Sequence, residues 1–363
     1  VDHNSEAEKT NFKKLILLLF KKNDIKPIHL AKNARLLLLS DNESRNLLKI
    51  INSESSLLSN EVVKKLLKEE LFYLILQKSL FADIFWEKLL NKLRSEILFN
   101  LENSNKNILN EFLFFIISLA EQCWLNEYIY TQSEEEINLV NNLKDKIEKD
   151  KKINELEIAI LGCYIPLNTL KSMTKKLLNY KSTNILFNDL ITLQITEPLN
   201  EKKLVKSIKS LDKIIDSVSK KVQDQYEENP YPRWRCTNKI LSKNFFFWLN
   251  EEIEPNQIDY DNKFNNPNVL VAGCGTGSHP ILTTRYKNSN ILAVDLSLSS
   301  LAYAKRKTEK LGYKNIEYLH ADILQLKKLD RKFHIIECGG SLHHMKDPIA
   351  GLKVSLDMLE PYG

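Results

Sequence analysis

The spacing of apolar residues divides the chain into two textures. From Glu8 to about Lys221 they recur at helical intervals: Val62, Val63, Leu66, Leu67, Leu71, Leu74 and Ile75 form one series, and Ile84, Phe85, Leu89, Leu93, Ile97 and Leu98 another. Helix breakers are scarce there: the only prolines are Pro27, Pro166 and Pro198, and the only glycine is Gly162. Ser59 and Asn60 stand where a helix beginning at Glu61 needs its cap. No fixed-period self-similarity runs through the region, so the pattern predicts a compact, irregular all-helical domain over residues 1–221 rather than a solenoid. Near Asn229 the texture changes, in the segment QYEENPYPRWRC. Residues 222–267 read as a connecting helix and an aromatic, proline-bearing link. From residue 268 to 363, short apolar runs alternate with helix-like stretches such as Ser299 to Leu311. The runs are Val269 to Ala272, Ile291 to Val294, Ile316 to Leu319 and Phe333 to Cys338. Strands alternating with helices imply an α/β domain with a doubly wound parallel sheet.

Composition narrows the picture only slightly. A hydrophobic fraction of 43% and a charged fraction of 27% are those of a globular protein able to bury two cores. The net charge of +5 arises from 52 basic and 47 acidic side chains spread almost evenly, which gives no support to a nucleic-acid partner. The longest apolar runs, Leu15 to Phe20 and Phe112 to Ala120, fall short of the roughly 20 residues of a membrane-spanning helix, so no membrane partner is expected. Cys123, Cys163, Cys236, Cys274 and Cys338 have no paired spacing, which suits reduced thiols in the cytoplasm better than disulfides or a zinc site.

Candidate chemistry gathers after residue 268. In VLVAGCGTGSHP a strand runs directly into Gly273, Cys274, Gly275 and Gly277. Glycines there let the backbone turn sharply and approach a flat ligand; the competing reading is a tight turn with no ligand. Nucleotide-binding dehydrogenases use G-x-G-x-x-G in this context, whereas this chain has G-x-G-x-G. Asp295 ends the second strand, where a carboxylate can accept from both hydroxyls of a ribose, and a serine at the cap of the segment starting near Ser299 leaves it little reason to serve as a helix cap. Asp322 follows the third strand and can accept from an adenine amino group while Ile323 lies against the ring, unless it is a simple loop aspartate. Successive strand ends are where doubly wound sheets bind ligands.

GCGTG, AVDLS, HADI and IIECGGSLHHMKDP, in that order over Val269 to Pro348, resemble the motifs of class I S-adenosylmethionine-dependent methyltransferases. QYEENPYPRW, with FLFFIISLAEQCWLNEYIY and LGCYIPLNTL upstream, is similar to a bacterial group in which a helical region, often preceded by tetratricopeptide repeats, leads into such a domain. The resemblance implies a Rossmann-like methyltransferase domain behind an all-α domain, with S-adenosyl-L-methionine as cofactor. It places Leu296 beside Asp295 in the cofactor site, and Cys338 with Gly339 against the methionine part and the acceptor. His343 and His344 follow on the adjoining loop, where an imidazole can take a proton from the acceptor; packing or capping ahead of Asp347-Pro348 is the alternative. No Asn-Pro-Pro-Tyr follows the strand, which argues against adenine or glutamine amide substrates. Tyr226, Tyr231, Pro232 and Trp234 form a lid over the cofactor by the same resemblance, or else staple the helices to the sheet.

The reaction expected is methyl transfer to an unidentified small-molecule or protein acceptor, with a protein partner for the helical domain as a further expectation. A helical scaffold whose α/β domain binds cofactor without catalysis is the alternative, and a dehydrogenase the third reading. Class I domains resemble a sheet ordered 3-2-1-4-5-7-6, of which only 3-2-1-4 is expected here; on that reading the chain is a fragment, with Ile335 and Ile336 partly uncovered on an edge strand.

Overall fold

The computed structural model describes residues 6–103, 106–150, 152–259, 264–361 and 363. They form two compact units, one of Val1–Leu199 with Trp234–Asn238, the other of Asn200–Arg233 with Lys239–Gly363.

The first unit is built of helices from Glu6–Lys21 to Ile185–Ile191. At its centre lies the helix Leu113–Leu125, buried on every side from Phe115 to Leu125, and packed against the helices Glu70–Lys78 and Glu155–Gly162. The apolar run that is too short to cross a membrane is therefore a core helix, the normal place for a helix without a polar face. Among the described residues no helix is long and apolar enough to cross a membrane. Asn60 caps the helix Glu61–Leu66, its side chain accepting from the amides of Val62 and Val63 at 3.0 and 3.2 Å. The one acid of the central helix, Glu121, is fully buried and paired with Arg235, which also meets Asp189.

The second unit holds a five-stranded parallel sheet: β1 (Lys209–Ser210), β2 (Asn268–Ala272), β3 (Asn290–Asp295), β4 (Ile316–His320) and β5 (Ile335–Glu337), in the order β1-β4-β3-β2-β5. The expected 3-2-1-4 order is present in the last four. Strand residues alternate between two cores because successive side chains point to opposite faces. Val269, Val271, Ile291 and Ala293 pack with Leu301, Ala302 and Ala304 of the helix Leu298–Leu311 and with Phe245 and Trp248. Leu270, Ala272, Leu292 and Val294 pack on the other face with Leu326, Val354 and Met358. Ile335 belongs to the first of these cores and is only 8% exposed, so it is covered rather than open, while Ile336 is partly buried against the second.

The unit begins at Asn200 rather than near Lys221. Residues 200–221 include β1, which adds to the outer edge of β4 with Lys209 opposite Leu319 and Ser210 opposite His320. A two-residue strand has no period to read in a sequence. His320 explains its position: its Nε2 lies 2.9 Å from the carbonyl of Leu296, which can only accept, so Nδ1 is left to accept from the Ser210 hydroxyl at 2.9 Å. The helix Ser217–Glu228 follows, capped by Asp216.

Candidate functional site

The loops after β2, β3, β4 and β5 leave the sheet at the same edge, together with the helix Ser217–Glu228, and enclose a cavity of about 300 Å³. Such a crevice is the ordinary ligand site of an open parallel sheet. Gly273, Cys274 and Gly275 from the first loop, Asp295 and Leu296 from the second, Asp322 and Ile323 from the third, and His344 from the fourth line it, as do Tyr226 and Tyr231.

Asp295 organises the first two loops. Its Oδ2 accepts from the amide of Gly275 at 2.7 Å and its Oδ1 from the amide of Ser297 at 3.0 Å. Ser297 is the helix cap, accepting from Ser300, so the carboxylate of Asp295 is left facing the cavity. Burial pushes the Asp295 carboxyl above its ordinary range, against the pull of the Ser297 and Gly275 amides. Each oxygen keeps a second lone pair for an incoming hydroxyl. A Cβ built on Gly275 meets nothing within 4 Å, which leaves ligand space beside that amide. Asp322 is 3% exposed and caps the turn Ile323–Lys328, its Oδ1 accepting from Leu324 at 2.9 Å.

The tyrosine-bearing helix is fixed at its end. Glu227 accepts from the amides of Leu298 and Ser299 and from the Ser299 hydroxyl, at 3.0 Å and 2.6 Å for Ser299, placing an anion at the start of the next helix. The Ser297 hydroxyl donates to the carbonyl of Tyr226 at 2.9 Å. Pro232 lines the cavity and its carbonyl accepts from the Thr276 hydroxyl at 2.7 Å. Trp234 is not among the residues that line the cavity.

Three further expected residues stand outside the lining. Gly277 caps the helix Ser278–Thr283 with φ of 89°, and a Cβ there would sit 2.5 Å from the Cβ of Ala304, so its missing side chain serves helix packing. Cys338 packs against the core that holds Phe333 and Met358, and burial raises its thiol. His343 is exposed at the turn Leu342–His344, where its ring lies 4.0 Å from that of His344. His344 itself is met edge-on by Tyr226 at 6.2 Å.

Other lining residues carry a weaker sequence signal. Ser219, Val222 and Tyr226 share one helix face by their spacing of three and four, a stripe legible in the sequence. His279 lines the cavity from the helix after the glycine loop. Its Nε2 is 3.2 Å from Oε2 of Glu337, the last residue of β5. Glu337 also accepts from the Thr283 hydroxyl, from Tyr286 at 2.8 Å and from Arg285 at 3.1 Å. Burial alone would raise this carboxyl, yet hydrogen bonds from His279, Thr283 and Tyr286 and the charge of His279 outweigh it and hold it down at about 2.

Residues 269–363 match the family described as a methyltransferase domain. The chain is 33% identical over 103 residues to an uncharacterized protein of Synechococcus sp., covering 28% of this chain and 25% of that one. It is 31% identical over 80 residues to a probable (S)-tetrahydroprotoberberine N-methyltransferase of Papaver bracteatum, covering 22% of each. The chain thus spans about a quarter of the length of these curated relatives. Among solved structures, an S-adenosylmethionine-dependent methyltransferase from Clostridium acetobutylicum is 25% identical, with 40% of this chain and 54% of that one covered and a TM-score of 0.25. The similarity of residues 269–363 is thus to methyltransferase domains, and S-adenosylmethionine is the cofactor it supports.

Proposed function

We propose that this chain transfers a methyl group from S-adenosylmethionine to an acceptor that enters the cavity beside Gly339 and His344. One observation carries the reading: the glycine loop, Asp295 and Asp322, each at the end of a successive strand, converge on a single cavity with open space at Gly275. The cofactor, when bound, supplies a methyl carbon already activated by its sulfonium. The protein's work is to hold and orient it and to exclude water. Asp295 is suited to the ribose hydroxyls, Asp322 to the adenine amino group, and Ile323 and Leu296 to the apolar flanks of the base. Tyr226 and Tyr231 close the cavity from the side of the anchored helix.

Calorimetric titration with S-adenosylmethionine tests the first half, and no binding refutes it. Incubation with a cell lysate and tritium-labelled cofactor tests the second, with the label traced to protein, nucleic acid or small molecules. Binding without any labelled product would favour a scaffold role. Preference for a nicotinamide cofactor would favour a dehydrogenase.

A further inference from the structure

Of the groups that Glu337 gathers, only His279 also lines the cavity; Thr283, Arg285 and Tyr286 stand behind it. The carboxylate is thus hydrogen-bonded on its buried side by three residues and presents its fourth partner to the ligand space. Side chains of His279 and Glu337 are 27% and 15% exposed, so the pair is shielded yet reachable. A carboxylate can only accept, so Nε2 of His279 donates to it, and in the neutral ring the lone pair is then on Nδ1. That edge of the ring faces Gly339: a Cβ at residue 339 would lie 3.4 Å from Cε1 and 3.5 Å from Nδ1, and no side chain stands between. Gly339, Gly340 and Ser341 complete the wall at this point. His344, by contrast, is placed by ring contacts with Tyr226 and His343 at the exposed mouth.

We infer that His279 is the proton acceptor of the transfer, oriented by Glu337, and that the substrate is therefore a protic nucleophile, a hydroxyl or an N–H group. The inference rests on the methyl-transfer reading above. In the step, the acceptor's X–H bond breaks and its proton passes to Nδ1 of His279. The electron pair of X forms the bond to the methyl carbon, and the pair of the breaking S–C bond stays on sulfur. Glu337 compensates the imidazolium as it forms, acting as a positioning residue, in the arrangement of a base held by a third group. A tertiary amine or thioether acceptor has no proton to lose and would leave the pair without use.

Charged and titratable neighbours bear on any pH profile. Glu337 faces His279 from β5, Arg285 and Tyr286 adjoin that carboxylate, Glu252 reaches Arg285 at 3.4 Å, and His344 lines the same cavity. The test uses the full chain and three variants, His279→Gln, Glu337→Gln and His344→Gln, in three measurements. Calorimetry with S-adenosylmethionine comes first, and the His279 and Glu337 variants are expected to bind within about threefold of the wild type. Nitrogen-15 histidine spectra of the cofactor-free chain follow; His279 should show a protonated Nε2 and a bare Nδ1, a preference lost in Glu337→Gln. Tritium transfer into a cell lysate against pH comes last. His279→Gln should lose about 100-fold or more of the rate at every pH, and Glu337→Gln a smaller share of it. The labelled product should be an ether or an N-methylated amine or amide. Full rate in His279→Gln, a loss that follows His344→Gln instead, or label confined to sulfonium or quaternary ammonium products overturns the inference while leaving methyl transfer intact. A wild type that binds no cofactor, or labels nothing, overturns both.

Discussion

Replacing Gly277 with alanine should damage the fold of the second unit before it touches the ligand site. The new methyl would lie 2.5 Å from the Cβ and 2.8 Å from the Cα of Ala304, with both partners on backbone-fixed positions that no rotamer change relieves. Ordinary carbon contacts are about 3.5–4.0 Å, so the helix Leu298–Leu311 has to move off the sheet by about 1 Å. Overpacking of this kind costs about 1–3 kcal/mol. An L-residue at φ of 89° adds about 1–2 kcal/mol. The sum, about 2–5 kcal/mol, corresponds to a fall of roughly 5–15 °C in the melting of a unit this size. Gly275→Ala is the companion variant. It carries the same backbone cost but meets nothing within 4 Å, so its methyl enters ligand space. Its melting should fall only a few degrees while S-adenosylmethionine binding weakens about tenfold or more. Scanning calorimetry, with hydrogen exchange on residues 290–311 to assign the transition, reads stability; titration reads binding. A Gly277→Ala chain melting within about 2 °C of the wild type, or two variants indistinguishable in both assays, would refute this division of roles.

Asp295→Ala removes the acceptor of the Gly275 and Ser297 amides as well as the proposed ribose contact, and should weaken cofactor binding by about 1.5–3 kcal/mol; unchanged affinity in a folded variant removes Asp295 from the site. Asp322→Asn should lose less affinity than Asp322→Ala because an amide oxygen still accepts from Leu324 and from adenine, and equal losses would count against the adenine role. Glu337 has a folded pKa held down at about 2 from an ordinary 4.5, so its contribution to stability is complete above about pH 4.5 and is lost as pH falls toward 2. Stability of Glu337→Gln should accordingly be flatter across that window, and an acid transition with wild-type steepness would exclude the hydrogen-bonded carboxylate.

The residues that line the cavity at strand ends were legible wherever a residue type and a spacing together restrict the possibilities. Glycines ahead of a helix and aspartates behind apolar runs mark the loops after β2, β3 and β4 because few other residues serve there. A serine cap was expected for the helix near Ser299, and it is Ser297 that accepts from Ser300 at 3.0 Å. The pairing of His279 with Glu337 was not legible. The two residues are 58 positions apart in the chain, and only the register of β5 beside β2, with Val271 opposite Glu337, brings them together. Gly277 carries a second demand that its spacing does not show: its missing side chain makes room for Ala304. His343 and His344 share a residue type and a turn, yet only the second reaches the cavity, a difference set by local backbone direction that composition does not encode.

The short edge strand bears on how this protein can be divided. The family match begins at residue 269, whereas Ser210, Ser219, Val222 and Tyr226 all precede it. Cutting at the family boundary would strip β1 from β4, leave Nδ1 of His320 without its hydroxyl donor, and open one wall of the cavity along the length of the helix Ser217–Glu228. The recombinable module is therefore longer than the segment shared with relatives. The compact unit that holds the cavity starts at Asn200, and a gene fusion or domain swap that respects only the shared segment would inherit a sheet with an exposed flank and a binding cleft missing one side.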